Sequence, residues 1–450
     1  MKTSETLKLT LNELWHKHLR IPAAKVNLIA AKLFFAFNSN EQAFRFCSRS
    51  LRYQISTDAS TLLKSLILSI PLDNFVSKKV TIKGAAQRSI ILKWPSFGNE
   101  KIQKGILLTT FTGTFSYFIN HTNSALLEQF FILVLEPSWS GYADADIFGL
   151  CKLQNKIIVE CPEIQDRALL NEFPENFVAT SFGASDWVNH KEFKPTNVEK
   201  IYDSIYIANA NPIKRVLRYV QAVKNIVAAG NSTYKACLVC ASWGGSRESI
   251  EKIIQKYSLG DNLVLKFSLS KQEVIEHLNL SKANILLSYK EGSNRSLFES
   301  MFCNIPVICI YENIGVNKAY INEHTGLLVQ DGHIEEALVW LAQHYTCYSP
   351  REWALTNIAP EVTTQKLASV IKSRLAQKDL DSSTIMVKTN NPEVQYMDWP
   401  ELEFYDINET LFQIFEAQQT SLEEATREIK LLKENFNNRL ASCTSAQSVK

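Results

Sequence analysis

The chain has 450 residues, 46% of them apolar and 21% charged, with 15 Gly, 13 Pro and a net charge of +2; this ordinary globular composition provides cores for two or three domains. No apolar run reaches the roughly 20 residues that span a bilayer, and the longest near-apolar segment, 28–37, carries Lys32 and lies too far in for a signal peptide. Nine scattered cysteines, an odd number, exclude a disulfide framework, so a cytoplasmic chain is expected.

Charge is distributed unevenly. Residues 1–100 hold 15 Lys/Arg against 6 Asp/Glu, a balance of +9, while the remaining 350 hold 33 against 40. A basic N-terminal region implies an anionic partner, such as the headgroups on the inner face of a membrane; a solvated basic helix face explains it equally well. No nucleic-acid motif is present.

Residues 1–100 read as mainly helical. Leu7, Leu9, Leu11, Leu14 and Trp15 open an amphipathic segment that Ile21-Pro22 interrupts; helices follow over 23–37, 41–53 and 58–68, and 75–95 alternates like strands around Gly84. From Lys104 the pattern becomes α/β. Strands are predicted at 105–111, 131–135, 156–159 and 177–180, with a helix at 124–130, which argues for a parallel sheet over 101–195.

Residues 190–200, with Pro195 and several charges, read as a linker. A second α/β series occupies 196–378, with strands at 204–208, 236–241 and 263–267 and helices at 214–229, 246–257, 271–278 and 334–343. Cys237-Leu-Val-Cys240 has CxxC spacing, but no second pair completes a metal site, so a buried strand is expected. Residues 379–450 read as a loop to 391, a helix at 409–417, and a heptad run, Leu422, Ala425, Ile429, Leu432 and Phe436, too short for a coiled coil and expected to pack on the body.

The most informative stretch runs from Ser288 to Ile308. Ala283–Leu287 reads as a buried parallel strand, Gly292 as a loop hinge, Ser296 as a helix start, and Ile305–Ile310 as the next strand. Ligands of open α/β sheets sit at the carboxyl ends of strands, beside helix N-termini. Glu291 and Glu299 flank this loop, making it a candidate sugar-nucleotide site. The sequon Asn294-Arg-Ser296 lies inside it, another argument against a lumenal location.

Glu291-x7-Glu299 followed by Asn304-Ile-Pro306-Val-Ile308 resembles the donor-site signature of GT-B glycosyltransferases of the large retaining family 4, the glycosyl transferases group 1. Gly315, Thr325-Gly326-Leu-Leu-Val329 and Trp187-Val188-Asn189-x3-Phe193-x-Pro195 resemble its glycine turn, its Gly-hydrophobic-Leu segment and its interdomain motif. The resemblance covers about 185–345 and is absent before Lys104. It implies a GT-B fold, two Rossmann-like domains facing a cleft, with extra helices at both ends of the chain. It further implies sugar transfer from a nucleotide-sugar to an acceptor hydroxyl of a glycan or lipid-linked acceptor, with retention and with neither metal nor cofactor. A role in surface-polysaccharide or other glycan synthesis is expected with it.

The family roles assign Glu299 to the ribose and Glu291 to the sugar and the positive charge developing at its anomeric carbon, since a carboxylate accepts two hydroxyl hydrogen bonds. Lys214 supplies charge to the leaving diphosphate, with Gly292, Ser293 and Asn294 lining the donor. Where the family usually has an arginine, five residues before the lysine, this chain has Asn209. Arg295 or Arg215 is expected to supply the missing charge. On the acceptor side Glu136, His121 and Tyr142 are candidates, although His121 reads more readily as a surface histidine. Asp144-Ala-Asp146 and Asp379-Leu-Asp381 mimic a metal-binding DxD, but neither is embedded in a strand. Two further readings stay open: an epimerase- or phosphorylase-like relative, and a non-catalytic GT-B-like module that binds sugar-nucleotide or glycan.

Overall fold

Short apolar runs set the architecture of the computed structural model, which describes residues 10–76, 80–98, 101–241, 247–375, 377, 379–390, 401–416 and 419–447. Two units divide the chain: one holds the N-terminal residues through Arg20 together with Val188–Val362, the other Ile21–Trp187 and Thr363 onward.

The unit containing Ile21–Trp187 is built on β1 (Ser89–Lys93), β4 (Gly105–Thr110), β5 (Phe131–Glu136), β6 (Ile157–Val159) and β7 (Phe177–Ala179), with a small ribbon of β2 (Ser96–Phe97) and β3 (Ile102–Gln103). The sheet order is β1-β4-β5-β6-β7; β4 to β7 are parallel, and β1 adds an antiparallel edge. All six residues of β5 are buried, as its unbroken apolar reading requires of a central parallel strand.

The sequence divides at 100/101 and 378/379, but the structure joins all these segments in one core. Phe44, Cys47 and Leu51 of the helix Asn40–Tyr53, Leu62, Leu63 and Leu66 of the helix Thr57–Ser69, and Leu411, Phe412, Phe415, Ala425, Ile429 and Phe436 near the C-terminus all belong to it. A sheet with two apolar faces needs cover, and distant segments supply it. Of the heptad residues Ala425, Ile429, Leu432 and Phe436 therefore pack on the body, inside the helix Leu422–Gln447, while Leu422 at its start is exposed. The strand-like reading of 75–95 holds only for β1. Ile82–Ala86 is a short helix, because Thr81 caps it by accepting from the Gly84 amide at 3.1 Å; residues 77–79 of that stretch lie outside the described residues.

The other unit carries β8 (Ser204–Asn209), β9 (Ala236–Ala241), β10 (Leu263–Phe267), β11 (Asn284–Leu286), β12 (Val307–Ile310) and β13 (Gly326–Val329). They form one fully parallel sheet in the order β10-β9-β8-β11-β12-β13. This is the 3-2-1-4-5-6 arrangement of nucleotide-binding sheets, whose connections reverse direction between the two central strands. Here that switch point lies between β8 and β11, where Ile205 pairs with Asn284. Each unit thus carries a Rossmann-like sheet of parallel strands, as expected from the sequence. The unit boundary falls inside the Trp187-Val188-Asn189 motif, just ahead of the expected linker.

At the N-terminus a helix runs on through the proline where an interruption was expected. Trp15–Leu19 is a π turn in which the Arg20 amide donates to the Trp15 carbonyl, and the α-helix resumes over Arg20–Ala36. Pro22 has no N–H to give the His18 carbonyl, and the wider turn just before it accommodates the ring.

Candidate active site

The two loops that leave the switch point meet. After β8, the Asn209 side chain accepts from the Asn211 amide and that of Asn211 from the Ile213 amide, each at 3.1 Å. These turns lead into a single 3-10 turn, Pro212–Lys214, whose last carbonyl receives the Tyr206 hydroxyl. After β11, the chain passes Ser288 and Tyr289 to Glu291. Lys214 Nζ lies 2.6 Å from both Glu291 Oε1 and Oε2, and the Ser288 hydroxyl donates to Oε1.

The backbone beneath Glu291 is clasped. Its amide donates to the Ile314 carbonyl at 2.7 Å, and the Ile314 amide to the Tyr289 carbonyl at 2.9 Å. Gly315 adopts a φ of +116°, and a Cβ there would lie 2.1 Å from the Glu291 carbonyl oxygen. The conformational demand at this site thus falls on Gly315, while Gly292, expected as the hinge, is simply buried in the loop.

Asn294 caps the helix Arg295–Phe302: its Oδ1 accepts from the Leu297 amide at 3.0 Å and from the Ser296 hydroxyl at 2.9 Å. Its side chain is buried, so the sequon is occupied by a structural task. Ser293 is half-buried beside it. Glu299, one turn into this helix, keeps part of its surface exposed, yet enough of the carboxyl is enclosed for desolvation to raise its pKa to about 7, against the opposing charges of Arg295 and Lys271. Arg295 is exposed at the first helical position, four residues before Glu299.

Arg215, expected as a donor-binding cation, has another task. It sits in the left-handed region (φ +54°, ψ +40°) with its side chain wholly buried. Its guanidinium is bidentate to Asp331 at 2.8 Å, donates to the Leu287 carbonyl and to Glu13, and lies 4.0 Å over the Tyr289 ring. Burial alone would raise Asp331, but the Arg215 hydrogen bonds and charge, with Arg218 and Lys17 nearby, hold it at about 2.

The N-terminal helix completes this network. Glu13 meets Arg215 at 3.0 Å, Lys17 meets Asp331 at 3.2 Å, and the His16 ring stacks on Tyr289 with centroids 4.7 Å apart. Desolvation first, then Arg20, Arg215 and Lys290, lower the His16 pKa to about 4, so its ring is neutral among these cations. Ser288, Asp331, Glu13 and His16 carry no sequence signal of their own; Gly315 does, through the family turn.

The candidates of the other sheet do not assemble. Glu136 ends β5, as read, but is buried in an ion pair with Lys388, beside Glu160 and Trp187. Trp187 Nε1 donates to Glu160 Oε1 at 3.0 Å, and burial, then Glu136, raises the Glu160 pKa well above the usual carboxylate range. Tyr142 is buried too: its hydroxyl donates to the Glu160 carbonyl at 2.9 Å, and burial pushes its pKa far up. Asp144 pairs with Arg52 and caps a short helix. His121 is exposed at a helix end, the plainer of its two readings. Cys237 and Cys240 are buried in β9, their thiols pushed up to about 12 by desolvation.

Residues 188–345 match the family model described as glycosyl transferases group 1. A search of curated proteins finds no match. Among solved structures, a point mutant of S. aureus TarM in complex with fondaparinux, α-GlcNAc-glycerol and UDP is 17% identical over 59% of this chain and 55% of its own, with a TM-score of 0.47. Sucrose-phosphate synthase from Thermosynechococcus elongatus is 17% identical over 60% and 74%, with a TM-score of 0.46. The pneumococcal O-GlcNAc transferase GtfA, in complex with UDP and GlcNAc, is 14% identical over 54% and 53%, with a TM-score of 0.39. This chain thus spans about half the length of TarM.

Proposed function

Residues 188–345 form a glycosyl transferases group 1 domain, and from that premise we propose that the protein is a glycosyltransferase moving a sugar from a nucleotide-sugar to an acceptor hydroxyl. The observation that carries the reading is the Lys214–Glu291 pair at the carboxyl ends of β8 and β11, the place where this sheet type holds its ligand.

Each part of a nucleotide-sugar finds a matching group. Lys214 Nζ offers the charge that the leaving diphosphate needs as its bond to the anomeric carbon breaks. As the diphosphate draws Lys214 away, Glu291 keeps one oxygen with Ser288 and directs its charge at the sugar, where positive charge develops. Glu299 accepts from the ribose diol, and Arg295 adds charge from the helix N-terminus, where Asn209 has none to give. As the family resemblance implies, the donor phosphate itself takes the acceptor proton, and attack from the leaving-group face retains configuration. The reading carries over the family's expectation of neither metal nor cofactor. An acceptor in surface-polysaccharide or other glycan synthesis, and contact of the basic N-terminal region with an anionic membrane face, complete the reading.

The full-length protein, offered UDP-, GDP- and ADP-sugars, should hydrolyse one of them slowly, and Glu291→Gln should abolish this. Arg295→Ala with undiminished turnover would remove that residue from the site. A second reading, a protein that binds sugar-nucleotide without turnover, is favoured by Asn209 and by the pairing of Lys214 with Glu291. Nucleotide binding with no hydrolysis across the panel would establish it.

A further inference from the structure

The helix Arg20–Ala36 is apolar on both of its sides, although only one is covered. Ala24 and Ala31 are buried, with Leu28, Phe34 and Phe35 packed against the core of their unit. The opposite side carries Ile21, Val26, Ile29 and Leu33, and Phe37 just past the helix end. They are 53%, 64%, 61%, 56% and 80% exposed. Ile29, Leu33 and Phe37 fall four residues apart, so they form a single row, and Lys25 takes the place in line between Ile21 and Ile29. A helix apolar all round is normally buried or in lipid, and isolated exposed apolar residues are common whereas a continuous row is not.

Charge identifies the occupant. Between Glu13 and Glu41 the chain has no acidic residue, while Lys17, Arg20, Lys25 and Lys32 lie in that interval. Lys25, in line ahead of Ile29, and Lys32, beside it, are exposed, Lys32 with its Nζ 2.6 Å from Asp58. Arg49 lies 5.6 Å over Phe46, which stacks on Phe34, so a further cation stands next to the same helix. An apolar row flanked by cations fits the boundary between headgroups and acyl chains of an anionic bilayer. Among the described residues no helix is long and apolar enough to cross a membrane.

We propose that Ile21, Val26, Ile29, Leu33 and Phe37 insert into the surface of an anionic bilayer, with Lys25 and Lys32 against its headgroups, so that this helix lies in the membrane plane. This rests on the reading of an anionic membrane partner for the N-terminal region and deepens it from charge attraction to apolar insertion. It does not depend on which sugar is transferred.

The test is co-sedimentation of the full-length protein with vesicles of equal parts phosphatidylglycerol and phosphatidylcholine, and with phosphatidylcholine alone. Ile29→Asp/Leu33→Asp, both exposed and outside the core, should weaken binding to the anionic vesicles by about a hundredfold. Lys25→Ala/Lys32→Ala should weaken it about tenfold and remove most of its salt dependence. Thermal unfolding of both variants should match the wild type. If the aspartate pair leaves binding unchanged while salt abolishes it, insertion is overturned and the simpler electrostatic contact survives. If the wild type ignores both vesicles, both readings fall. If instead the wild type dimerises with rising concentration and the aspartate pair abolishes this, the row is an interface between copies and the proposal is overturned.

Discussion

Lys214 Nζ lies 2.6 Å from both carboxylate oxygens of Glu291, although 77 residues separate the two in sequence. Each is delivered by the loop after one of the two strands that flank the switch point, and each neutralises the other. Removing either charge leaves its partner uncompensated in a half-enclosed place. Lys214→Met and Glu291→Gln should each lower donor turnover by about a hundredfold or more. The double variant should lose little beyond the worse single one, because the two act as a unit. Steady-state rates of the four proteins measure this.

Glu299 should show opposite effects on stability and on binding. Its folded-state pKa, about 7, lies above the ordinary carboxylate value, so the folded protein holds this proton more tightly than the unfolded chain. Its contribution to stability is therefore full below about pH 4.5 and lost as pH rises through about 7. Glu299→Gln should melt higher than the wild type at pH 8 and close to it at pH 5, while binding the nucleotide-sugar several-fold more weakly. Melting curves at the two pH values, set beside donor titrations, give both signs.

Arg215 should matter to folding and not directly to the donor. Its guanidinium is buried and bidentate to Asp331, and removing one partner of such a pair costs about 3 kcal/mol or more. Arg215→Leu should lower the urea midpoint accordingly. Arg218→Leu, whose partly exposed side chain pairs with Glu335, should lower it much less.

Asp331 adds an acid limb to the stability profile. Its folded pKa is depressed to about 2, so its contribution is present above the ordinary value near 3.8 and fades as pH falls through about 2. Asp331→Asn should flatten the loss of stability between pH 4 and 2, as followed by circular dichroism.

Gly315→Ala should cost both stability and turnover. The new methyl would stand 2.1 Å from the Glu291 carbonyl oxygen, at a φ that an L-residue rarely adopts. The loop segment carrying Glu291 must then shift, moving its carboxylate away from Lys214. Donor turnover in an otherwise folded variant checks it, and wild-type turnover would count against the clasp.

What the chain discloses by itself is local. The runs at 131–135 and 236–241 read as strands because their apolar content is continuous, and Glu291-x7-Glu299 is visible because one loop and one helix carry both residues. Partners far apart in sequence leave no such mark. Asp331 lies 116 residues from Arg215, and Lys388 lies 252 from Glu136. Arg215 and Glu136 therefore read as cations and anions open to a ligand until those partners are seen. Residues 82–86 misread for a local reason, since Val80 and Ile82 alternate like a strand while the Thr81 hydroxyl starts a helix.

The division of the chain also sets an order on its synthesis. Residues 188–362 lie within one continuous stretch, whereas the other unit needs segments from before and after it. Trp94 cannot meet Phe436, nor Glu136 meet Lys388, until the ribosome has passed both. At the usual 5–20 residues per second, the incomplete unit waits on the order of ten seconds to a minute, its apolar sheet uncovered, while the intervening piece is made and can close. Chaperone dependence of the nascent chain should thus concentrate on residues 21–187, and a stop codon just before residue 401 should yield an insoluble product even though every residue of the Lys214–Glu291 site has been translated.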